Sequence, residues 1–221
     1  MKVCFVGRET PERFLGVEDK DVDLLLFSFQ GGKPISYEKE LKGETSEFAR
    51  LAALSKEYGV CICGLATDAR GVKRKSVLVA ESGRILGVSD MLNVVDGEWN
   101  VGANTRVFQT KKGRIGVVVA EDLYFFEVVR ALALCGCDFI VCPFGTGVGE
   151  IERVMVRANA FCFGVPILFC GKGYAMAVGA DGEMAFASPK SPSVLRIEFF
   201  REYHLVETRQ RGLGKRKKGE I

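Results

Sequence analysis

The sequence predicts an α/β fold in which two mixed β-sheets pack face to face and helices cover their outer faces. Its 221 residues are 48% apolar and 27% charged, a composition typical of a globular domain whose core needs no disulfide or metal. Short apolar runs alternate with helical patterns along the chain. Three glycine-centred turns, at residues 80–85, 110–115 and 179–184, predict hairpins between the parallel crossovers. Repeated hairpins favour two mixed sheets over a single Rossmann-type sheet.

The predicted strands are short runs rich in Val, Ile, Leu and Phe. Most of them are apolar at successive positions, as expected for sheets that are covered on both faces. The strands are residues 3–6, 22–27, 60–67, 76–80, 85–88, 107–110, 114–120, 139–143, 167–171, 175–179, 184–187 and 193–199.

Three helices are marked by capping residues. The first, over residues 45–58, opens with Thr45-Ser46-Glu47 and stops at Gly59. The second runs over residues 126–135, and the third over residues 150–163 ends at a glycine. Residues 31–43 and 90–105 carry loop signals and are predicted to lack regular structure.

The basic charge of the chain is concentrated at its C-terminal end. Six of the 31 basic residues lie at 209–221 beside one acid, which leaves 25 basic and 27 acidic residues elsewhere. We therefore predict one domain over residues 1–208 and a basic, flexible tail over residues 209–221. Nucleic-acid binding is not expected except through this tail.

The remaining composition excludes several classes of protein. The apolar runs are too short to cross a membrane, and the first strand begins at once without a cleavage signal, so we expect a cytoplasmic protein. Most of the eight cysteines lie in apolar runs and are expected to be core thiols rather than disulfides. His204 is the only histidine, and the closest cysteine pairs are separated by one residue. We expect neither a metal nor a cofactor, and a surface role for His204.

An ordered series of segments resembles the nitrilase, or carbon-nitrogen hydrolase, superfamily. The most similar run is residues 113–127, which reads GRIGVVVAEDLYFFE and resembles that family's nucleophile strand and elbow. The other matching segments, in the family's order, are 23–27, 59–64, 83–87, 98–102, 107–110, 130–133, 138–143 and 157–160. The resemblance implies a four-layer α-β-β-α sandwich and a homodimer.

The resemblance also implies a catalytic glutamate, lysine and cysteine, and this chain departs from all three. The cysteine position is Ala120, the lysine position falls on Asp90, and the glutamate position falls on Phe29, or on Ser28 or Gln30 with one residue of slack. The glutamate and asparagine of the family's third-helix motif are replaced by Cys162 and Phe163. An alanine methyl group cannot form the covalent adduct that a thiolate forms.

Two functions therefore stay open. In the first, the chain is a pseudoenzyme that binds a small molecule or a partner through Phe29, Asp90, Ala120, Glu121 and Cys142, and the Asp90 charge favours a cationic or amine-bearing ligand.

In the second, the chain is an active amidase-type hydrolase with a relocated site built from Cys142, Glu121 or Glu98. The competing interpretations are a core thiol for Cys142 and solvated carboxylates for Glu121 and Glu98. We expect Asp122 to be a structural carboxylate that pairs with an arginine such as Arg157.

Two loop-like segments have compositions that suit phosphate contacts, but each has a simpler interpretation. The basic run at 71–75 is expected to be a solvated turn before a strand, with a phosphate contact as the alternative. The glycine-rich run at 145–149 precedes a helix but lacks the Lys-Ser/Thr ending of a P-loop. We expect it to be a flexible loop at the mouth of an open pocket.

Overall fold

Two six-stranded sheets stacked on each other form the centre of the molecule. The computed structural model describes residues 1–18, 21–95, 97–145 and 147–199. The strands are β1 (Lys2–Val6), β2 (Leu24–Ser36), β3 (Val60–Ala69), β4 (Val72–Glu81), β5 (Arg84–Asp90), β6 (Val107–Thr110), β7 (Gly113–Val117), β8 (Phe139–Pro143), β9 (Ile167–Gly171), β10 (Tyr174–Val178), β11 (Met184–Ser188) and β12 (Ser193–Arg196).

Each sheet has a parallel centre and antiparallel edges. The first sheet has the order β12-β1-β2-β3-β4-β5, with β1, β2 and β3 parallel. The second has the order β11-β10-β9-β8-β7-β6, with β7, β8 and β9 parallel. The three hairpins predicted from glycine turns are present as β4-β5, β6-β7 and β10-β11.

Helices cover the outer face of each sheet. Helices α1 (Tyr37–Lys42) and α2 (Glu47–Glu57) pack on the first sheet, and α3 (Phe126–Leu134) and α4 (Glu150–Phe163) on the second. Strand alternation divides the apolar side chains between layers: Leu24 and Leu26 enter the core between the sheets, whereas Leu25 and Phe27 face the helices. This is the predicted α-β-β-α sandwich, and the fold class is confirmed.

Two predicted loops are regular in the structure. Residues 31–36 continue β2 and are followed by α1, whose last turn is closed by Gly43 at φ 72°. The basic segment 71–75 is not a solvated turn, because its last four residues pair with β3 as the start of β4. The strand predicted over 114–120 ends at Val117, and a 3₁₀ turn over Ala120–Tyr124 follows.

The two sheets meet closely near the middle of β2, at Phe29. The backbone N–H of Phe29 donates to the carbonyl oxygen of Phe144, at 2.9 Å, and so links the sheets directly. A Cβ atom at Gly64 would lie 2.8 Å from the Phe29 Cα and 2.9 Å from the Pro143 Cβ. A glycine at position 64 therefore permits the approach that places Phe29 between the sheets.

The described residues contain no helix that is long and apolar enough to cross a membrane. The predicted tail over residues 209–221 and His204 lie outside the described residues.

Candidate functional site

The turn that follows β7 has the geometry of a strained elbow. Ala120 is the first residue of the 3₁₀ turn, has φ 47° and is 2% exposed. A left-handed conformation at a non-glycine residue costs about 1–2 kcal/mol, so the surrounding packing must hold it in place. Ala120 belongs to the apolar cluster between the sheets, together with Val119 and Met91.

Asp122 ties this elbow to the segment that follows β5. Its carboxylate accepts hydrogen bonds from the backbone N–H groups of Leu92 (2.9 Å) and Asn93 (2.8 Å) and from the Asn93 side chain (2.9 Å). Burial raises the pKa of Asp122, although these hydrogen bonds act in the opposite direction. Asp122 is thus a structural carboxylate, but its expected partner was wrong: Arg157 donates to the Gly182 carbonyl oxygen instead.

A partly buried ion pair lies next to the elbow. Lys75 Nζ lies 2.7 Å from Glu121 Oε1, and the two side chains are 10% and 26% exposed. Lys75 is on β4, where strand alternation places it on the same face as Val77 and Val79, toward the second sheet. The charged side chain therefore enters the space between the sheets rather than solvent.

Two aromatic rings flank the lysine. Lys75 Nζ lies 5.9 Å from the centroid of the Phe29 ring and 5.6 Å from the centroid of the Trp99 ring, both within cation–π range. Glu121 Oε2 is buried and has no hydrogen-bond partner among the described residues. We call Phe29, Lys75, Trp99 and Glu121 the ammonium cluster.

Asp90 lies apart from this cluster. Its Oδ1 accepts from Ser76 Oγ at 2.7 Å, and its Oδ2 is 3.9 Å from Arg74 Nε. Ser76 Oγ also contacts Thr67 Oγ1, and Ser76 alternates with Lys75 and Val77 along β4, so Asp90 faces the helix side of the sheet. Met91, the next residue, enters the core between the sheets.

The other predicted site residues, Cys142 and Glu98, are not members of the ammonium cluster. Cys142 is fully buried in the core between the second sheet and helices α3 and α4. Burial, followed by the charges of Asp122 and Glu121, raises the pKa of this thiol well above its usual range, which favours the core-thiol interpretation. Glu98 is exposed.

Neither a metal site nor a phosphate cradle is evident in the described residues. In the described part of the chain, no three His, Cys, Asp or Glu side chains are grouped so that they could hold a metal ion. Within residues 145–149, the backbone N–H of Gly149 donates to Glu152 Oε2 and caps α4.

Comparison with known proteins decides the family. The sequence model of the carbon-nitrogen hydrolase family matches residues 27–198. The chain belongs to the carbon-nitrogen hydrolase family. Its similar curated relatives include a probable nitrilase of Schizosaccharomyces pombe, 24% identical over 74% of this chain and 62% of that protein. An N-carbamoylputrescine amidase of Solanum tuberosum is 26% identical over 75% of this chain and 67% of that protein. The chain thus spans about two thirds of the length of these relatives or slightly less.

Solved structures of this family share the fold. Nit3 of Saccharomyces cerevisiae superposes with a TM-score of 0.72 at 14% identity and 88% coverage of both chains. A cysteine-to-alanine variant of an amidase from Nesterenkonia AN1 has a TM-score of 0.71 at 16% identity, again over 88% of both chains. These similarities establish the carbon-nitrogen hydrolase fold of this chain.

Sequence reasoning missed three residues of the site: Lys75, Trp99 and Met91. Lys75 was grouped with the basic run before it, although its alternation with Val77 and Val79 was a signal that it shares their face. Met91 was missed because the sequence analysis assigned the family's lysine position to Asp90, one residue earlier. In a strand, a shift of one residue moves a side chain to the opposite face. No pattern in the sequence singled out Trp99.

Because Ala120 has a positive φ, we expect a glycine at this position to cost less stability than a glycine in place of an ordinary buried alanine. We expect Ala120→Gly to change the free energy of unfolding by less than about 0.5 kcal/mol, because relief of the positive φ offsets the lost methyl burial. The control is Ala160→Gly in α4, a buried alanine in a helix, which should lose about 1–2 kcal/mol. Urea unfolding of the two variants measures both values, and equal losses would show that the elbow is unstrained.

Proposed function

We propose that this member of the carbon-nitrogen hydrolase family is a pseudoenzyme, which binds a small molecule or a partner at the elbow without hydrolysing it. The observation that carries the proposal is the methyl group of Ala120 at the strained elbow position, with the ammonium cluster beside it. Hydrolysis through a covalent intermediate needs a nucleophile at the point where the chain turns, and a methyl group supplies none.

The side chains around Ala120 support the same proposal. Met91 and Phe29, both buried, carry neither an ammonium nor a carboxylate, and the Lys75 ammonium and the Glu121 carboxylate are paired with each other. Loss of a complete nucleophilic apparatus costs on the order of a million-fold in rate in comparable hydrolases. On this proposal, the chain keeps a strained turn at Ala120 but has no nucleophile at that position.

A structural neighbour indicates that alanine in such a pocket is compatible with binding. A cysteine-to-alanine variant of the Nesterenkonia amidase has been crystallised with butyramide. By analogy, an alanine at position 120 does not by itself prevent a small ligand from binding at the elbow.

The second candidate function is an active amidase-type hydrolase, and one observation favours it. Glu121 Oε2 is buried, accepts no hydrogen bond from the described residues, and belongs to a carboxylate beside a lysine. Such a carboxylate has the acceptor that a general base needs to activate a water molecule. Cys142 is a weaker candidate, because its raised pKa keeps the thiol protonated at neutral pH.

The two candidates differ in ammonia release from amides, nitriles and ureido compounds. We expect no sustained release by the wild-type protein across such a panel. Glu121→Gln and Cys142→Ala should then be indistinguishable from the wild type. The control variant is Glu127→Gln, which neutralises an exposed carboxylate on α3. Turnover by the wild type that is abolished in Glu121→Gln or Cys142→Ala, but kept in Glu127→Gln, would establish the hydrolase instead.

We also propose that two copies of the chain associate through α4. The family resemblance implies a homodimer, and α4 presents Ile151, Val154 and Phe161 to solvent at 64%, 51% and 40% exposure. Their spacing places them on one side of the helix, opposite the buried residues that face the sheet. A second copy would remove this apolar surface from water.

Light scattering tests this association. The wild type should have twice the 24.2 kDa mass of one chain, and Val154→Glu should shift it toward the monomer. Leu41→Glu, at an exposed apolar residue of α1 on the opposite layer, should stay dimeric. A monomeric wild type, or a Val154→Glu variant that remains a dimer, would contradict the proposed interface.

A further inference from the structure

The ammonium cluster is built around a positive charge. The Lys75 ammonium is surrounded by one carboxylate oxygen of Glu121 at 2.7 Å and by two aromatic rings with centroids at 5.6 and 5.9 Å. Aromatic faces attract cations through their quadrupole, and the attraction grows where water is excluded. A point that is within reach of a carboxylate and of two such faces selects an ammonium over a neutral group of the same size.

The Glu121 carboxylate can accept further hydrogen bonds. Glu121 Oε2 is buried and receives no hydrogen bond from the described residues. A carboxylate accepts about four hydrogen bonds, and an ammonium donates three. The cluster can therefore accept donors beyond the one contact to Lys75 that occupies Oε1.

The Lys75 ammonium occupies the space among Phe29, Trp99 and Glu121, and it is attached to β4 by a flexible side chain. Its ammonium stands at the end of a flexible four-carbon stem, and the Lys75 and Glu121 side chains retain 10% and 26% exposure. The adjacent cation, Arg74, points to Asp90 and to the carbonyl oxygen of Val101 instead. If Lys75 swings out, Phe29, Trp99 and Glu121 are left with one unbalanced negative charge.

We infer that Phe29, Trp99 and Glu121 form a receptor for a primary alkylammonium ion, and that Lys75 occupies it in the absence of such a ligand. This inference rests on the proposed binding function and specifies the ligand class. It assigns cation recognition to Glu121, whereas the sequence pointed to Asp90, whose charge is already faced by Arg74 and Ser76. The ligand exchanges with the lysine, so its binding is weakened by competition in the wild type.

Removal of the tethered ammonium tests the inference. Lys75→Ala vacates the receptor, and n-butylammonium should then bind about tenfold more tightly than it binds the wild type, as measured by calorimetry and by the shift in melting temperature. Butan-1-ol, which has the same chain without the charge, should give no shift. In the double variant with Lys75→Ala and Glu121→Gln, the response to n-butylammonium should disappear.

A second variant covers the case in which Lys75→Ala does not fold. Lys75→Met keeps most of the stem and removes the charge, and it is tested with methylammonium against methanol, added during refolding if necessary. Equal binding by the wild type and the variant, equal effects of the alcohol, or binding that survives Glu121→Gln would overturn the inference. These readouts measure binding alone, so the inference fails or holds separately from the amide panel, which tests the proposed function.

Discussion

The partly buried ion pair between Lys75 and Glu121 is the interaction on which the site depends. Lys75 belongs to the first sheet and Glu121 to the turn that follows β7 in the second sheet, so their 2.7 Å contact joins the two halves of the sandwich. Buried charges are costly when they are separated, and each therefore requires the other to remain in place. The contact fixes the position of the Glu121 carboxylate, which follows Ala120 in the chain.

The elbow and its surroundings follow from this constraint. Asp122 anchors residues 92 and 93, and so the chain that leaves β5 is held against the turn that carries Ala120. The same connection brings Met91 into the core and Trp99 to the lysine. The chain has the carbon-nitrogen hydrolase fold and a strained turn at Ala120, and an ammonium and two aromatic rings lie next to the carboxylate that follows Ala120. This combination is the basis of the proposed change from catalysis to binding.

The sequence predicted the layers well because they depend on local patterns. Apolar runs and glycine turns located the strands and three hairpins, and capping residues located α2, α3 and α4 to within a few residues. The site was harder to predict because it depends on which face of its strand each side chain occupies, and a shift of one residue reverses that face. A shift of a single residue separates Asp90, which faces the helices, from Met91, which faces the core between the sheets. Lys75 resembled a surface residue because burial of a lysine requires a partner from a distant segment, and Glu121 is 46 residues away.

A double-mutant cycle on Lys75→Met and Glu121→Gln tests the central claim most directly. The account predicts a coupling energy of about 1.5–3 kcal/mol from urea unfolding, since either single variant leaves a buried polar group without its charged partner. The matched cycle on Arg70→Met and Glu38→Gln, an exposed pair at 3.7 Å, should give a coupling below about 0.5 kcal/mol. If the losses at Lys75 and Glu121 were additive, so that the two pairs could not be distinguished, the ion pair would not hold the site together and the account would be contradicted.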